Sequence, residues 1–397
     1  MVELKNIMYK KIKITMVLSI LLLSSLFIPS ILATAWWDKN WSYKIKITVD
    51  ETKVDADLTD FPVMVYLNSS RIDWSHVQDD LDDLRFLDST ESTILKAELE
   101  KYEVNNKAWI WVKIPTINNA VDTDIYMYYG NTGAVSAWNA ENVWESSAVM
   151  VQHMYDNPDT SHVMDSTSYS NDGTKKGANE PIETASGKIG SALNFDGGND
   201  YIACGNSVSL NPLTAQTVEM WLKPNVGYGE IYPRLISHND YIRHYSYINP
   251  ATGNLVVIFY TSGGVASVDS NSGISVNVWN FIVYSYNGDY IRVYINGVLV
   301  KTSSKVSGNI ISANSNLLIG NNPSMERTYN GIIDEFRIYN TAKSAEWTKA
   351  DYNNGADTLL GYSTIKSSVS SLSAGLFIGL FILFMVGVLI LALVKRR

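Results

Sequence analysis

Cysteine is all but missing from this sequence. The one that occurs, Cys204, has no partner for a disulfide within the chain and none for a zinc ribbon or a Cys-x-x-Cys redox motif. Histidine is scarce too, five in 397 residues, and no two stand at a metal-binding spacing. No phosphate-cradling glycine loop and no nucleophile motif occurs. A basic stripe is also lacking, and with a net charge of −9 this excludes nucleic acid as a partner. What the chain has in quantity is aromatic: 24 tyrosines and 11 tryptophans, a composition that favours strands over helices. Its length leaves room for two domains, each with its own core.

The two ends set an expected topology. Lysines 5, 10, 11 and 13 precede an apolar run from Ile14 to Ile28, and Ala33-Thr34-Ala35 supplies a small-x-small cleavage site, so residues 1–35 read as a secretory signal peptide. An uncleaved signal anchor is the competing reading. Residues 374–394 run without a charge and are followed at once by Lys395-Arg396-Arg397. A helix of that length crosses the hydrocarbon core, and the basic tail marks its cytoplasmic side. The serine-rich segment 363–373 reads as a stalk. The expectation is a single-pass type I protein of the cell membrane with most of the chain outside. Asn40-Trp-Ser and Asn68-Ser-Ser would be glycosylation acceptors there.

Between the ends the pattern is that of an all-β protein made of two β-sandwich domains, 36–144 and 148–362. In Tyr43-Lys-Ile-Lys-Ile-Thr-Val49, apolar residues alternate with polar ones, the period of a half-buried strand. Residues 61–67, 108–114 and 123–129 repeat the theme. In the second domain 217–222, 255–260, 279–286, 317–320 and 331–339 read as strands. Asn296-Gly297 between alternating residues predicts a two-residue type I′ hairpin. Only 344–352 reads as helix, with Ser344 as its N-cap.

The first domain resembles the DUF2341 family, on Trp36-Trp-Asp-Lys-Asn-Trp-Ser-Tyr-Lys-Ile-Lys-Ile-Thr48, Asp83-Leu-Arg-Phe-Leu-Asp88, Trp109-Ile-Trp-Val-Lys-Ile-Pro115 and Ile125-Tyr-Met-Tyr-Tyr-Gly-Asn131. That resemblance implies a prokaryotic surface protein and brings no mechanism. The second resembles the LamG-like, concanavalin A-like lectin/glucanase family. The residues that carry it are Asp165–Thr174, Ala192–Ile202, Val218-Glu-Met-Trp221, Val293–Gly297 and Gly331–Asn340. It implies a jelly roll that binds glycans or proteins and that often holds one calcium ion at its rim. By position, Asp196, Asp200 and Asp334 are the candidate calcium ligands. The alternative is that Asp196 and Asn199 make Asx-type bonds within their own turn. An EF-hand is excluded, because Tyr201 and Ser207 stand where its Gly and Glu belong.

Two further sets bear on function. Tyr232, Tyr241, Arg243 and Tyr245 interleave aromatics with a guanidinium, a composition able to stack on sugars, although these could equally be ordinary strand residues. Glu98 and Glu100 lie two apart on a strand, hence on one face, about 6.6 Å apart along the chain, near the spacing of paired glycosidase carboxylates. A solvent-facing acidic strand face is the simpler expectation. In the second domain Glu219 stands alone, and Asp334-Glu335 are adjacent and so face opposite sides of a strand. These readings favour a non-catalytic surface protein that binds glycans or cell-envelope proteins. A glycoside hydrolase using Glu98 and Glu100, or a structural envelope component, are the alternatives.

Overall fold

The computed structural model describes residues 36–177, 180–225, 232–240 and 242–368. The signal peptide 1–35, the segment 374–394 and the tail 395–397 lie outside them. No helix among the described residues is long and apolar enough to cross a membrane.

Six strands open the chain: β1 (Tyr43–Val49), β2 (Leu58–Asn68), β3 (Arg85–Leu87), β4 (Ala97–Glu103), β5 (Lys107–Ile117) and β6 (Thr123–Tyr129). They form two antiparallel sheets, β1-β6-β3 and β2-β5-β4. The predicted alternation places Ile45, Ile47, Val63, Val65, Ile110 and Val112 in one core between them. β2 and β5 are buried on their other faces too, where Met64, Trp111, Tyr66 and Trp109 belong to a separate apolar cluster. An antiparallel sheet with one wet face would be polar there. This one is covered.

The second sandwich follows with β7 (Ala148–Gln152), β8 (His162–Val163), β9 (Gly173–Lys175), β10 (Ile182–Thr184), β11 (Ala192–Asp196), β12 (Ile202–Ala203) and β13 (Gln216–Pro224). Next come β14 (Arg234–His238), β15 (His244–Ile248), β16 (Asn254–Thr261), β17 (Gly264–Gly273), β18 (Asn280–Tyr286), β19 (Ile291–Ile295) and β20 (Val298–Thr302). β21 (Leu318–Ile319) and β22 (Asn330–Tyr339) complete it. One sheet runs β10-β11-β22-β13-β18-β19-β20 with β7 also paired to β22; the other runs β17-β16-β15-β14-β21-β12-β9-β8. The two enclose the largest apolar core of the molecule, which includes Cys204. The β19–β20 turn has positive φ at both Asn296 and Gly297, as a type I′ hairpin requires.

After β22 the chain does not end its contact with the first sandwich. Helix α1 (Ala345–Gly355) begins at Ser344, whose hydroxyl accepts from the Trp347 N–H at 3.1 Å, and it sends Trp347 and Ala350 into the first core. The Asn354 amide bonds β2 at both ends, accepting from Met64 N at 2.8 Å and donating to Pro62 O at 3.0 Å. β23 (Leu360–Tyr362) and β24 (Lys366–Ser367) then pair antiparallel with β1. The chain thus returns to the first sandwich after building the second, and residues 40–367 form one compact unit.

Candidate functional site

The seam between the sandwiches is where the chemistry concentrates. Glu98 and Glu100 on β4 face it, not solvent: they are 7% and 5% exposed. The expectation of a wet acidic strand is therefore corrected, and the cause is the second sandwich lying over the β2-β5-β4 sheet. Each carboxylate has an indole donor from its own domain, Trp144 Nε1 to Glu98 at 2.9 Å and Trp111 Nε1 to Glu100 at 2.7 Å.

From the second sandwich comes His153, just past β7, with both ring nitrogens engaged. Nε2 lies 3.2 Å from Glu98 Oε1, while Nδ1 lies 2.7 Å from Glu335 Oε1 and 3.5 Å from Glu100 Oε2. Burial alone would hold this imidazole neutral, but the carboxylates of Glu335, Glu98 and Glu100 overcome it and raise its pKa well above the usual value. His153 is accordingly an imidazolium shared by three acids. Burial, and then the Glu335 charge, push Glu100 up to about 8 against the pull of His153. Glu335 goes the other way: burial would raise it, and His153 and Arg337 together hold it below the ordinary carboxylate range.

Arg337 is the second cation of the seam. It bonds Glu335 at 2.5 Å, Glu219 at 3.1 Å and Asp351 at 3.2 Å, with its guanidinium 4.5 Å from the Trp111 ring and 4.8 Å from that of Trp144. Glu335 and Arg337, two apart on β22, share a face by ordinary alternation, and a bulge lies beside them. The β13–β22 register shifts there, and Glu335 takes φ +49°, a conformation that non-glycine residues rarely adopt. The strict alternation expected for 331–339 fails at this point, so Asp334 and Glu335 are both buried. Glu100, His153 and Glu335 place one ligand atom each within 4.8 Å of one another. Their mutual ion pairs, and the indole at Glu100, account for that closeness.

A cleft of about 430 Å³ opens onto this cluster. Glu98, Leu99, Trp138 and Glu141 line it from the first sandwich side, and His153, Tyr155, Asn157, Met164 and Ser166 from the second. Ser166 Oγ donates to Glu98 Oε1 at 2.5 Å. Asp165 borders the cleft but is spent on its own loop, where it accepts from Val151 N, Thr167 N, Thr167 Oγ1 and Asn171 N. Glu100 does not line the cleft.

The other sequence candidates fall elsewhere. Asp196 is exposed and accepts from Gly198 N, while Asp200 is buried and accepts from Asp196 N at 2.8 Å, so the turn closes on itself. Asp334 does not join them. Asp196 pairs with Asn330, and Asp334 lies four residues further along that strand, roughly 13 Å away. Its carboxylate accepts from Lys188 N and Ile189 N instead. Arg243 is fully buried and bonds Ile311 O, Pro212 O and Gln216, so it cannot meet a ligand at the surface. Tyr245 is buried beneath the Arg234 guanidinium at 4.3 Å, Tyr232 is 44% exposed, and Tyr241 lies outside the described residues. His153, Arg337 and Glu335 are the seam residues that sequence reasoning did not single out. One signal was there: Trp109-Ile-Trp-Val112 has no polar residue on either face, which marks a doubly covered strand.

Comparison with known families agrees with the fold. Residues 80–171 match DUF2341, a domain of unknown function, and residues 196–348 match the concanavalin A-like lectin/glucanases superfamily. The chain carries these two domains in that order. The first match runs past Trp144 to include His153 and Ser166, so the matched segment extends across the seam. No curated protein sequence matches the chain. Among solved structures the chain is similar to the binding domain of Paraclostridial Mosquitocidal Protein 1 (16% identity, TM-score 0.43, covering 52% of each chain). It is also similar to domain 4 of AbnA, an extracellular arabinanase from Geobacillus stearothermophilus solved with arabinotriose. There the identity is 23% and the TM-score 0.41, over 53% of this chain and 99% of that one. The botulinum neurotoxin serotype D binding domain is a third, at 17% identity and TM-score 0.40, over 54% and 52%. The match spans about half the length of the mosquitocidal and neurotoxin structures.

Proposed function

We propose that the protein is a non-catalytic, membrane-anchored surface protein that binds glycans in the cleft at the seam. The observation that carries this reading is the lining of that cleft. Trp138 and Tyr155 bring aromatic rings to the lining, while Glu98, Glu141, Asn157 and Ser166 bring hydrogen-bonding groups. Aromatic faces among a few polar groups are what a sugar requires, since a pyranose has an apolar face and a polar rim. Residues 374–394 would hold the protein in the membrane with the sandwiches outside. The hydrolase alternative that pairs Glu98 with Glu100 loses its second carboxylate, because Glu100 is sealed beneath Trp111 and of that pair Glu98 alone lines the cleft.

The test is a glycan-binding screen with the full-length chain in detergent, together with Trp138→Ala. Binding to one or more glycans that falls at least tenfold in the variant supports the reading. Glycan binding indifferent to Trp138→Ala moves the site elsewhere, and release of sugar from a bound oligosaccharide overturns the non-catalytic assignment. Retention of envelope proteins with no glycan bound overturns the glycan assignment.

A further inference from the structure

The lining of the seam cleft is charged in one sense only. Glu98, Glu141 and Asp165 contribute carboxylates, and no lysine or arginine is among the lining residues. The single base there, His153, is engaged by Glu98, Glu100 and Glu335, so its charge is more than matched. Behind that wall burial pushes Glu100, Glu219 and Asp334 toward their neutral forms, so the negative field at the cleft comes chiefly from its own lining, Glu98 and Glu141. An anionic glycan such as a uronate would meet this field with no cation to receive it. A neutral sugar would gain nothing from it. A ligand bearing a protonated amine would gain from both the field and the rings, since an ammonium is also attracted to aromatic faces. The hydroxyl of Ser166 and the amide of Asn157 add polar groups suited to a sugar's remaining hydroxyls.

We propose that the ligand of the seam cleft is an amino sugar with a free, protonated amine, held by Glu98 and Glu141 with its ring against Trp138 and Tyr155. The inference rests on the glycan-binding reading above and names its substrate class. A bare lysine side chain shares the ammonium but not the ring hydroxyls, so it would leave the Asn157 and Ser166 groups unused.

Calorimetry on the full-length chain in detergent decides between these, with four probes: a glucosamine trimer, its N-acetylated counterpart, a glucose trimer and a lysine-rich peptide. The glucosamine trimer should bind at least about tenfold more tightly than either neutral trimer, and the difference should shrink in about 1 M salt as the field is screened. Glu141 and Met164 are exposed, so their substitution leaves the fold intact, which an unchanged melting temperature verifies. Met164→Lys, which places a cation in the cleft, should lower glucosamine-trimer affinity at least tenfold, and Glu141→Gln should lower it about threefold to tenfold. Equal affinity for charged and neutral trimers would overturn the amine inference and leave the glycan site standing. Tighter binding of the peptide than of any sugar would overturn it in favour of a protein ligand. Failure of every trimer to bind would overturn the glycan reading itself.

Discussion

Two of the places where the molecule buries ionisable groups treat them in opposite ways. The seam is acid-rich, and its two buried cations are spoken for: His153 touches Glu98, Glu100 and Glu335, and Arg337 touches Glu219, Asp351 and the same Glu335. Inside the second sandwich Arg243, His238 and His244 cluster, and none of the three contacts an acid among the described residues. There Arg243 satisfies itself with carbonyl oxygens, His238 lies 3.0 Å from Ser315 O, and His244 stacks on Phe259 with both ring nitrogens unpartnered. In the seam the proton is held on; in the sandwich interior it is kept off. Burial, aided by the Arg243 charge, pushes His238 down to about 3 and His244 well below its usual value. Equal burial thus gives opposite protonation, and the neighbours decide which.

The largest effect expected from breaking this contrast is at Arg337. Replacing it with Met leaves Glu219, Glu335 and Asp351 crowded without their cation, the situation in which a buried pair loses one partner. Arg337→Met should cost about 3–5 kcal/mol in a urea titration. A loss below about 1 kcal/mol would show that the seam carboxyls are already neutral and that Arg337 is dispensable.

Glu100→Gln comes next, and its signature is a pH profile. With the folded pKa raised to about 8, the native state keeps a proton that the unfolded chain releases above about 4.5. Stability therefore falls as pH rises through that window, by at most about 1.4 kcal/mol per unit, and the loss is complete above about 8. Gln carries no such proton and can still accept from Trp111. The variant should match the wild type near pH 4.5 and exceed it by about 2–4 kcal/mol at pH 9. Parallel melting curves across that range would remove Glu100 from the account.

His244→Phe probes the other region with the opposite sign. Its folded pKa is depressed, so the unfolded chain takes up a proton below about 6.5 that the native state refuses, and stability is lost as pH falls through that value. Phenylalanine removes that liability and two buried, unpartnered nitrogens. A gain of about 1–2 kcal/mol at pH 7, growing by up to about 1.4 kcal/mol per unit below pH 6.5, is expected. A loss at pH 7 would show that the ring nitrogens have partners and that the interior is not dry.

These two regions also show what a sequence can and cannot disclose. Strand placement was legible because alternation and turn chemistry are local: β1 and β6 have the predicted bounds, the Asn296-Gly297 turn has its positive φ values, and Ser344 caps its helix. That Glu98 and Glu100 share a face was legible for the same reason. Which medium that face meets was not, because it depends on a second sandwich whose residues begin some fifty positions later. Glu335 and Arg337 were hidden because their partners His153, Glu219 and Asp351 come from other elements, a juxtaposition with no marker in composition. Arg243 misled in the reverse direction: an arginine amid tyrosines suggests a surface, yet here carbonyl oxygens alone hold it inside.

The smallest effect concerns the Asp196–Asp200 turn, an acid pair belonging to neither region. Calcium binds through six to eight oxygens, and sites of useful affinity draw carboxylates from more than one loop. Here the third candidate, Asp334, is four strand residues distant and already accepts two backbone N–H bonds, while Asp200 is bonded to Asp196 N and Asp196 to Gly198 N. Two carboxylates in one self-closed turn leave any ion mostly hydrated and weakly held. Since only a ligand of the native state raises the melting temperature, about 5 mM calcium should shift it by less than about 1 °C, and chelator should do nothing. A rise of several degrees that Asp200→Asn abolishes would mean the turn opens to the ion, and would make it a third kind of acidic site beside the seam and the sandwich interior.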